Sequence, residues 1–383
     1  MLLKSKECFK GLVMKVFILT TVMAPYRVQL FSEIGKQCEL YVCFEQMRSA
    51  ERDEKWYDVS TSNFKLLELK KWNAPLKKIK TDVIKHIKDI KPDVVIAYEY
   101  HTNTSLLMLS YCQLKGIPYI INCDGAFVSK SIKDIVKKIY ISKAKGFISS
   151  GTMADKYLLH YGADKNNIYY NHFTSLHDKD ILDNLPSQAD KENARITKGI
   201  TEKQVILSVG QFIYRKGYDV LLKAAAKLSK DIGIYIIGGK PTDEYKQLID
   251  ELELTNVHFV DFIPPNELRY YFISADVFVL PTREDVWGLV INEAMACGLP
   301  IVTTDRCVAG IEIIENDVNG YLVPINDHDS LAEFINKILA DENKKNNMSV
   351  ENLNKIREYT YENSANDVMQ AIKGVYRSIH KKN

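Results

Sequence analysis

No apolar run in this sequence reaches the roughly 18–20 residues that a helix needs to cross a bilayer. The first strand-like run, Val16 to Val22, is shorter than that and has no cleavage pattern after it, so a cytoplasmic location is the expectation. Cysteine is sparse and scattered: Cys8, Cys38, Cys43, Cys112, Cys123, Cys297 and Cys307 are odd in number and contain no C-x-x-C pair. That argues against a disulfide framework and against a zinc site, and leaves most of these residues as small apolar filler. No solenoid-length repeat and no low-complexity tract is present. Basic residues occur without a nucleic-acid motif, so DNA and RNA are not expected partners.

What is present is the balance of a globular protein. The chain has 383 residues, 46% of them apolar and 26% charged, which is enough for two cores of similar size. The net charge of +2 conceals an asymmetry. Residues 1–175 carry 27 Lys and Arg against 17 Asp and Glu, whereas 176–383 carry 24 against 32. A basic first half suggests an anionic surface or ligand there.

Short β-branched runs alternate with amphipathic stretches throughout, which predicts α/β architecture with parallel sheets. Strands are expected at Lys15–Thr20, Leu40–Phe44, Asp93–Ala97, Tyr119–Asn122, Gly146–Ser149 and Ile168–Tyr170. A second series is expected at Val205–Val209, Gly233–Ile237, Val257–Asp261, Val277–Leu280, Ile301–Thr304 and Tyr321–Val323. Between them the apolar pattern lapses, with Pro186-Ser-Gln-Ala-Asp-Lys-Glu-Asn at its centre. The expected organisation is therefore a first domain at 1–180, a linker at 181–200, a second domain at 201–363 and a closing helix at 364–383 that could cross back. Two doubly wound domains of this kind would set their strand ends face to face across a cleft. The stretch before Val13 is polar and aperiodic, and a native start at Met14 is a further expectation.

Chemistry concentrates at two strand ends. In Val209-Gly-Gln-Phe-Ile-Tyr-Arg-Lys-Gly-Tyr-Asp-Val220 a strand ends at Gly210 and a helix opens near Gly217. Arg215 and Lys216 thus flank a helix N-terminus, a setting suited to a diphosphate. In Pro281-Thr-Arg-Glu-Asp-Val-Trp-Gly-Leu-Val-Ile-Asn-Glu-Ala-Met-Ala-Cys-Gly-Leu-Pro300 a loop leads into a helix from about Leu289 to Ala296. Asp285 lies in the loop and Glu293 on the helix. Carboxylates accept from adjacent hydroxyls, as a ribose or sugar offers, while the Trp287, Gly288 and Leu289 amides are phosphate donors. Each feature has a plain alternative: a solvated basic pair, and acids that merely favour the helix dipole.

Taken in order, these stretches resemble family 4 glycosyltransferases of the GT-B fold, the group 1 type. The trailing E-A-M-A-x-G-x-P stands here as Glu293-Ala-Met-Ala-Cys-Gly-Leu-Pro300. Ile236-Ile-Gly-Gly-Lys240, Asn256-Val-His-Phe-Val-Asp-Phe-Ile263, Ala275-Asp-Val-Phe-Val-Leu-Pro281 and Asn319-Gly-Tyr-Leu-Val-Pro324 agree with it, so the likeness covers nearly all of 205–340. The resemblance implies two tandem Rossmann-like domains, an N-terminal one for the acceptor and a C-terminal one for the donor. It further implies retention of anomeric configuration. In its terms Arg215 and Lys216 would hold the donor diphosphate, and Gly210 and Gln211 would also border the donor. Glu293 would bind the ribose hydroxyls, and Phe262 and Ile263 would approach the base. Asp285 or Glu284 would meet the sugar, beside Val286, Trp287, Gly288 and Leu289. The nucleotide-sugar is a substrate, so no cofactor is expected. No D-x-D stands in a suitable loop, and no metal is expected either. A UDP-sugar is preferred by family frequency.

The pattern is broken in places. The first acid of the E-x7-E motif is Asp285, with Glu284 out of register, and Gln211 stands where many relatives have Arg. In the first domain Met23-Ala-Pro-Tyr-Arg27 replaces a Gly-Gly pair, and Asn122-Cys-Asp-Gly-Ala126 replaces a histidine loop. Asp124 or His101 would then fill the catalytic position there, with Tyr26 and Arg27 as weaker candidates.

Two basic stretches, Leu69–Lys80 and Ser131–Lys145, are amphipathic, the second placing Ile132, Ile135, Val136 and Ile139 on one face. Such a face either packs into a core or lies on an anionic membrane, which would suit a lipid-linked saccharide acceptor. Two other functions stay open: a nucleotide-sugar epimerase, and a non-catalytic GT-B partner protein.

Overall fold

The computed structural model describes residues 13–48, 61–69, 79–128 and 134–380. Cys8, the polar stretch up to residue 12, positions 70–78 of the first basic stretch and 131–133 of the second lie outside the described residues. The chain divides into two compact units, Met1–Phe173 with Tyr361–Asn383, and Thr174–Thr360.

The first unit is built on β1 (Lys15–Val22), β2 (Glu39–Gln46), β3 (Lys65–Leu67), β4 (Val94–Ala97), β5 (Tyr119–Cys123), β6 (Gly146–Ser149) and β7 (Ile168–Tyr170). They form one parallel sheet in the order β3-β2-β1-β4-β5-β6-β7. Among the described residues five helices lie between them: α1 (Pro25–Ile34), α2 (Asp82–Ile90), α3 (Asn103–Lys115), α4 (Asp134–Ile141) and α5 (Thr152–His160). Val16, Phe17, Ile18 and Leu19 of β1 are all buried, on alternating faces, because helices cover both sides of the sheet. On α4 only Ile141 is buried, whereas Ile135, Val136 and Ile139 are exposed. Its apolar face is therefore not packed into the core.

The second unit runs α6 (Gln188–Lys198), β8 (Gln204–Val209), α7 (Tyr218–Ala225), β9 (Ile232–Ile237), α8 (Asp243–Glu251), β10 (Val257–Val260) and α9 (Pro265–Ser274). It continues through β11 (Val277–Leu280), α10 (Leu289–Ala296), β12 (Ile301–Thr304), α11 (Val308–Ile313), β13 (Gly320–Val323), α12 (His328–Leu339) and α13 (Glu342–Ile356). The sheet order β10-β9-β8-β11-β12-β13 is the doubly wound one, with its switch point between β8 and β11. Helix α6 occupies most of the stretch expected to be linker. A Ser187–Asp190 capping box opens it and left-handed Gly199 closes it. Only Ala194 of α6 is buried, so its sequence shows no apolar stripe.

The last helix, α14 (Tyr361–His380), belongs to the first unit. Val368, Met369, Ile372 and Val375 enter the core formed by α1 and the sheet. Gly374 lies where the helix meets β7, and a Cβ there would come 2.0 Å from the Tyr169 hydroxyl unless that side chain moved.

Candidate functional site

In the second unit the loops after β8 and β11 are tied into one structure at the carboxyl edge of the sheet. Gly210 and Gly238 end β8 and β9 so closely that a Cβ on Gly238 would lie 1.9 Å from the Gly210 oxygen. The hydroxyl of fully buried Tyr218 donates to that same oxygen at 2.9 Å. Gly217 opens α7 with φ +71°, and a Cβ there would lie 2.1 Å from the Pro281 oxygen. The turn bearing Arg215 and Lys216 is thus pressed onto the loop after β11. Hydrogen bonds fasten the contact: the Arg283 amide and the Thr282 hydroxyl both donate to the Arg215 carbonyl, at 2.8 and 2.9 Å. Arg283 forks onto Asp219 at 2.9 and 2.7 Å and also reaches the Tyr214 carbonyl at 2.7 Å.

This scaffold brings two cations to one carboxylate. Lys216 Nζ is 2.6 Å from Asp285 Oδ2, and Arg215 Nη1 is 3.5 Å from the same atom. Burial alone would raise the Asp285 carboxyl, but Lys216 and Arg215 hold it below the usual range, helped by the Trp287 amide. The residue expected to meet the sugar is therefore paired with the cations expected to hold the diphosphate. The short Asp side chain stays within reach of Lys216. Glu284 points elsewhere, to Arg306 at 3.1 Å, while Arg215 Nη1 takes the Glu284 carbonyl at 2.7 Å.

The start of α10 has no side-chain cap, and Gly288 precedes it at φ +99°. A Cβ at Gly288 would lie 2.7 Å from Cys307 Sγ, so this backbone approaches its neighbour as only glycine can. Val286 is exposed beside it. Trp287 is 1% exposed and its Nε1 donates to Asn292 at 3.0 Å; its side chain is a core anchor, and only its backbone could serve a ligand. Glu293, on α10, accepts from Ser175 Oγ at 3.0 Å, and burial pushes its carboxyl up to about 7. Gln211 follows Gly210 directly, and Phe262 and Ile263 lie half-buried after β10, on the same sheet edge.

In the first unit Asp124 follows β5, and its carboxylate takes the buried Arg27 guanidinium and, at 2.7 Å, the Asn122 amide. Arg27 lies 4.2 Å from the centre of the Tyr98 ring and is further enclosed by Tyr26 and Phe173. Glu99 stands one residue beyond Tyr98, with Thr21 Oγ1 and His101 Nδ1 each 3.4 Å from its carboxyl. Burial pushes Glu99 up to about 7, and Arg27 only partly offsets this. His101 itself is largely exposed. Glu99 and the Arg27–Asp124 pair were not legible as a unit, because their assembly depends on β1, β4 and β5 being neighbours. The one signal was position, since all follow a strand end.

Comparison with known proteins bears on both units. Residues 190–355 match the family model described as glycosyl transferases group 1. An uncharacterized glycosyltransferase of Methanocaldococcus jannaschii is 34% identical over 161 residues, 40% of this chain and 41% of that protein. The amylovoran biosynthesis glycosyltransferase AmsK of Erwinia amylovora is 32% identical over 167 residues, 40% of each. The chain thus spans about two fifths of the length of these curated relatives. Over the whole molecule, the Anabaena protein HepE, solved with UDP and glucose, superposes with a TM-score of 0.72 at 17% identity, covering 94% of this chain and 100% of that one. The fold is GT-B, and residues 190–355, most of the second unit, match the glycosyl transferases of group 1.

Proposed function

We propose that this protein is a retaining glycosyltransferase that moves a sugar from a UDP-sugar to a saccharide or lipid-linked saccharide acceptor in surface polysaccharide assembly. The observation that carries the reading is the Lys216–Asp285–Arg215 cluster, held at a strand-end edge beside a helix start without a side-chain cap. Cleaving a glycosyl–phosphate bond places negative charge on the departing diphosphate. Preorganised cations and amides at that point lower the barrier, normally by the largest single contribution. Here the diphosphate would displace the Asp285 carboxylate from Lys216 and Arg215. Asp285 would then turn to the sugar, and no metal is called for. Glu293 would accept from the ribose hydroxyls once ionised. In the first unit, Asp124 and Glu99 are the carboxyls suited to an acceptor hydroxyl, with His101 at their exposed side. Retention follows from attack on the same face that the diphosphate leaves.

The UDP and glucose bound by the Anabaena protein make UDP the first nucleotide to test, and the amylovoran relative points to polysaccharide as the product class. The exposed Ile135, Val136 and Ile139 on a lysine-bearing helix support an anionic membrane surface as a partner. The deciding experiment is calorimetric titration with UDP, GDP, ADP and dTDP without metal, repeated on Lys216→Ala and Glu293→Ala. One nucleotide should bind, and each substitution should weaken it roughly tenfold or more. Equal binding by the variants sinks the reading.

A further inference from the structure

The opposite edge of the second sheet carries a concentration of charge that donor binding does not use. Asp276 immediately precedes β11 and is 5% exposed. Three cations converge on it: Lys191 and Lys345 reach Oδ1 at 3.0 and 3.2 Å, and Arg195 reaches Oδ2 at 2.8 Å. Lys345 is itself 8% exposed, and the further carboxylate in contact with it is Glu342, 2.8 Å away and 68% exposed. Arg195 and Lys191 also bind the Ser274 and Ala275 carbonyls that end α9, at 3.0 Å each. These contacts use part of the donor capacity without neutralising the charge.

A small pocket of about 30 Å³ opens beside the cluster, lined by Lys191, Lys345, Asn346, Ser349 and Asp276, by the apolar Phe272, and by the backbone that follows α10. An ammonium has three N–H donors. Lys191 spends two, on Ala275 and Asp276, and Lys345 spends one on Asp276 while pairing with Glu342. Neither the Ser349 hydroxyl nor the Asn346 amide makes a side-chain hydrogen bond among the described residues. Lys191 is held below the usual lysine range by burial and by Lys345 and Arg195, against the pull of Asp276. Buried cations in excess of their counter-charges are costly, and an anion with several acceptor oxygens relieves that cost.

We propose that this pocket, between α6, α13 and the end of α10, binds a small phosphate-class oxyanion through Lys191, Lys345, Ser349 and Asn346. It lies at the amino ends of β11 and β12, whereas Arg215, Lys216 and Asp285 lie at the carboxyl edge. The two sites are therefore distinct. A bound anion would cross-link α6 to α13.

The test is thermal unfolding of the full chain at constant ionic strength, with chloride replaced stepwise by inorganic phosphate or by glycerol 3-phosphate. Phosphate should raise the Tm saturably. Lys345→Met and the milder Ser349→Ala should each raise the half-saturating concentration, the former roughly tenfold. Lys216→Ala should remove at most the part of the response that the strand-end loops contribute and leave the part that depends on Lys345. A response lost in Lys216→Ala but kept in Lys345→Met would assign the phosphate to the strand-end loops and overturn the proposal. Identical Tm values in chloride and phosphate would overturn it too. Should Lys345→Met fail to fold, Ser349→Ala combined with Asn346→Ala carries the same comparison. A shift with phosphate alone identifies the free ion, and a shift with both identifies the phosphate end of a larger ester.

Discussion

Glu293 owes its protonation to place: burial withholds water from its charged form and pushes the carboxyl up to about 7. In an unfolded chain a glutamate titrates near 4.3. The folded state therefore keeps a proton that the unfolded state gives up. This side chain's contribution to stability is full below about pH 4.3 and is lost as pH rises through about 7. Glu293→Gln keeps an acceptor for Ser175 and removes the titration. Its Tm advantage over wild type should grow from about pH 5 to about pH 8, measured by scanning calorimetry. Nucleotide affinity should move the other way, wild type gaining on the variant as the carboxylate forms. A pH-independent difference in both would mean that Glu293 is ionised throughout. At this scale the sequence shows which residue types stand at each strand end, but not whom they meet. Arg215 and Lys216 read as phosphate ligands; that Asp285 lies on Lys216, or that Ser175 donates to Glu293, depends on contacts between residues 69 and 118 positions apart.

Among the elements, the short turn before α7 is the most tightly determined. Gly217 is left-handed and pressed on the Pro281 oxygen, so Gly217→Ala adds both strain and a clash. The substitution should destabilise the second unit by about 1–3 kcal/mol, read from urea unfolding. It should also weaken nucleotide binding more than Tyr214→Ala does, because the turn carries both cations. Nucleotide affinity equal to wild type in a folded Gly217→Ala protein would show that the turn does not position them. Most strands were legible because parallel strands covered on both faces are near-continuous apolar runs. Helix α10, expected from about Leu289 to Ala296 after the loop that ends at Gly288, runs over Leu289–Ala296. Two elements escaped for opposite reasons. Strand β3 has three residues, too few for any periodicity. Helix α6 is long enough but is held by Lys191 and Arg195 on Asp276 rather than by an apolar stripe, and a polar helix reads as linker.

Across the whole molecule charge is unevenly shared, with the first 175 residues basic and the remainder acidic. Helix α4 adds exposed isoleucines to that basic part. Sedimentation with phosphatidylglycerol vesicles should pull the protein down and phosphatidylcholine vesicles should not, with salt weakening the effect. Replacing the exposed Ile135 and Ile139 by Ser should weaken vesicle binding roughly tenfold or more, from the loss of two isoleucines that would enter the lipid. Vesicle binding that ignores lipid charge and both substitutions would leave the isoleucines without that role. The first unit is discontinuous in sequence, closed by α14 after the entire second unit has been made. On the ribosome, therefore, the part begun first is finished last. The second unit, contiguous from Thr174 to Thr360, can fold while the first still waits with the strip reserved for Val368, Met369, Ile372 and Val375 uncovered. That waiting interval is when the nascent chain is most open to chaperones, and to aggregation.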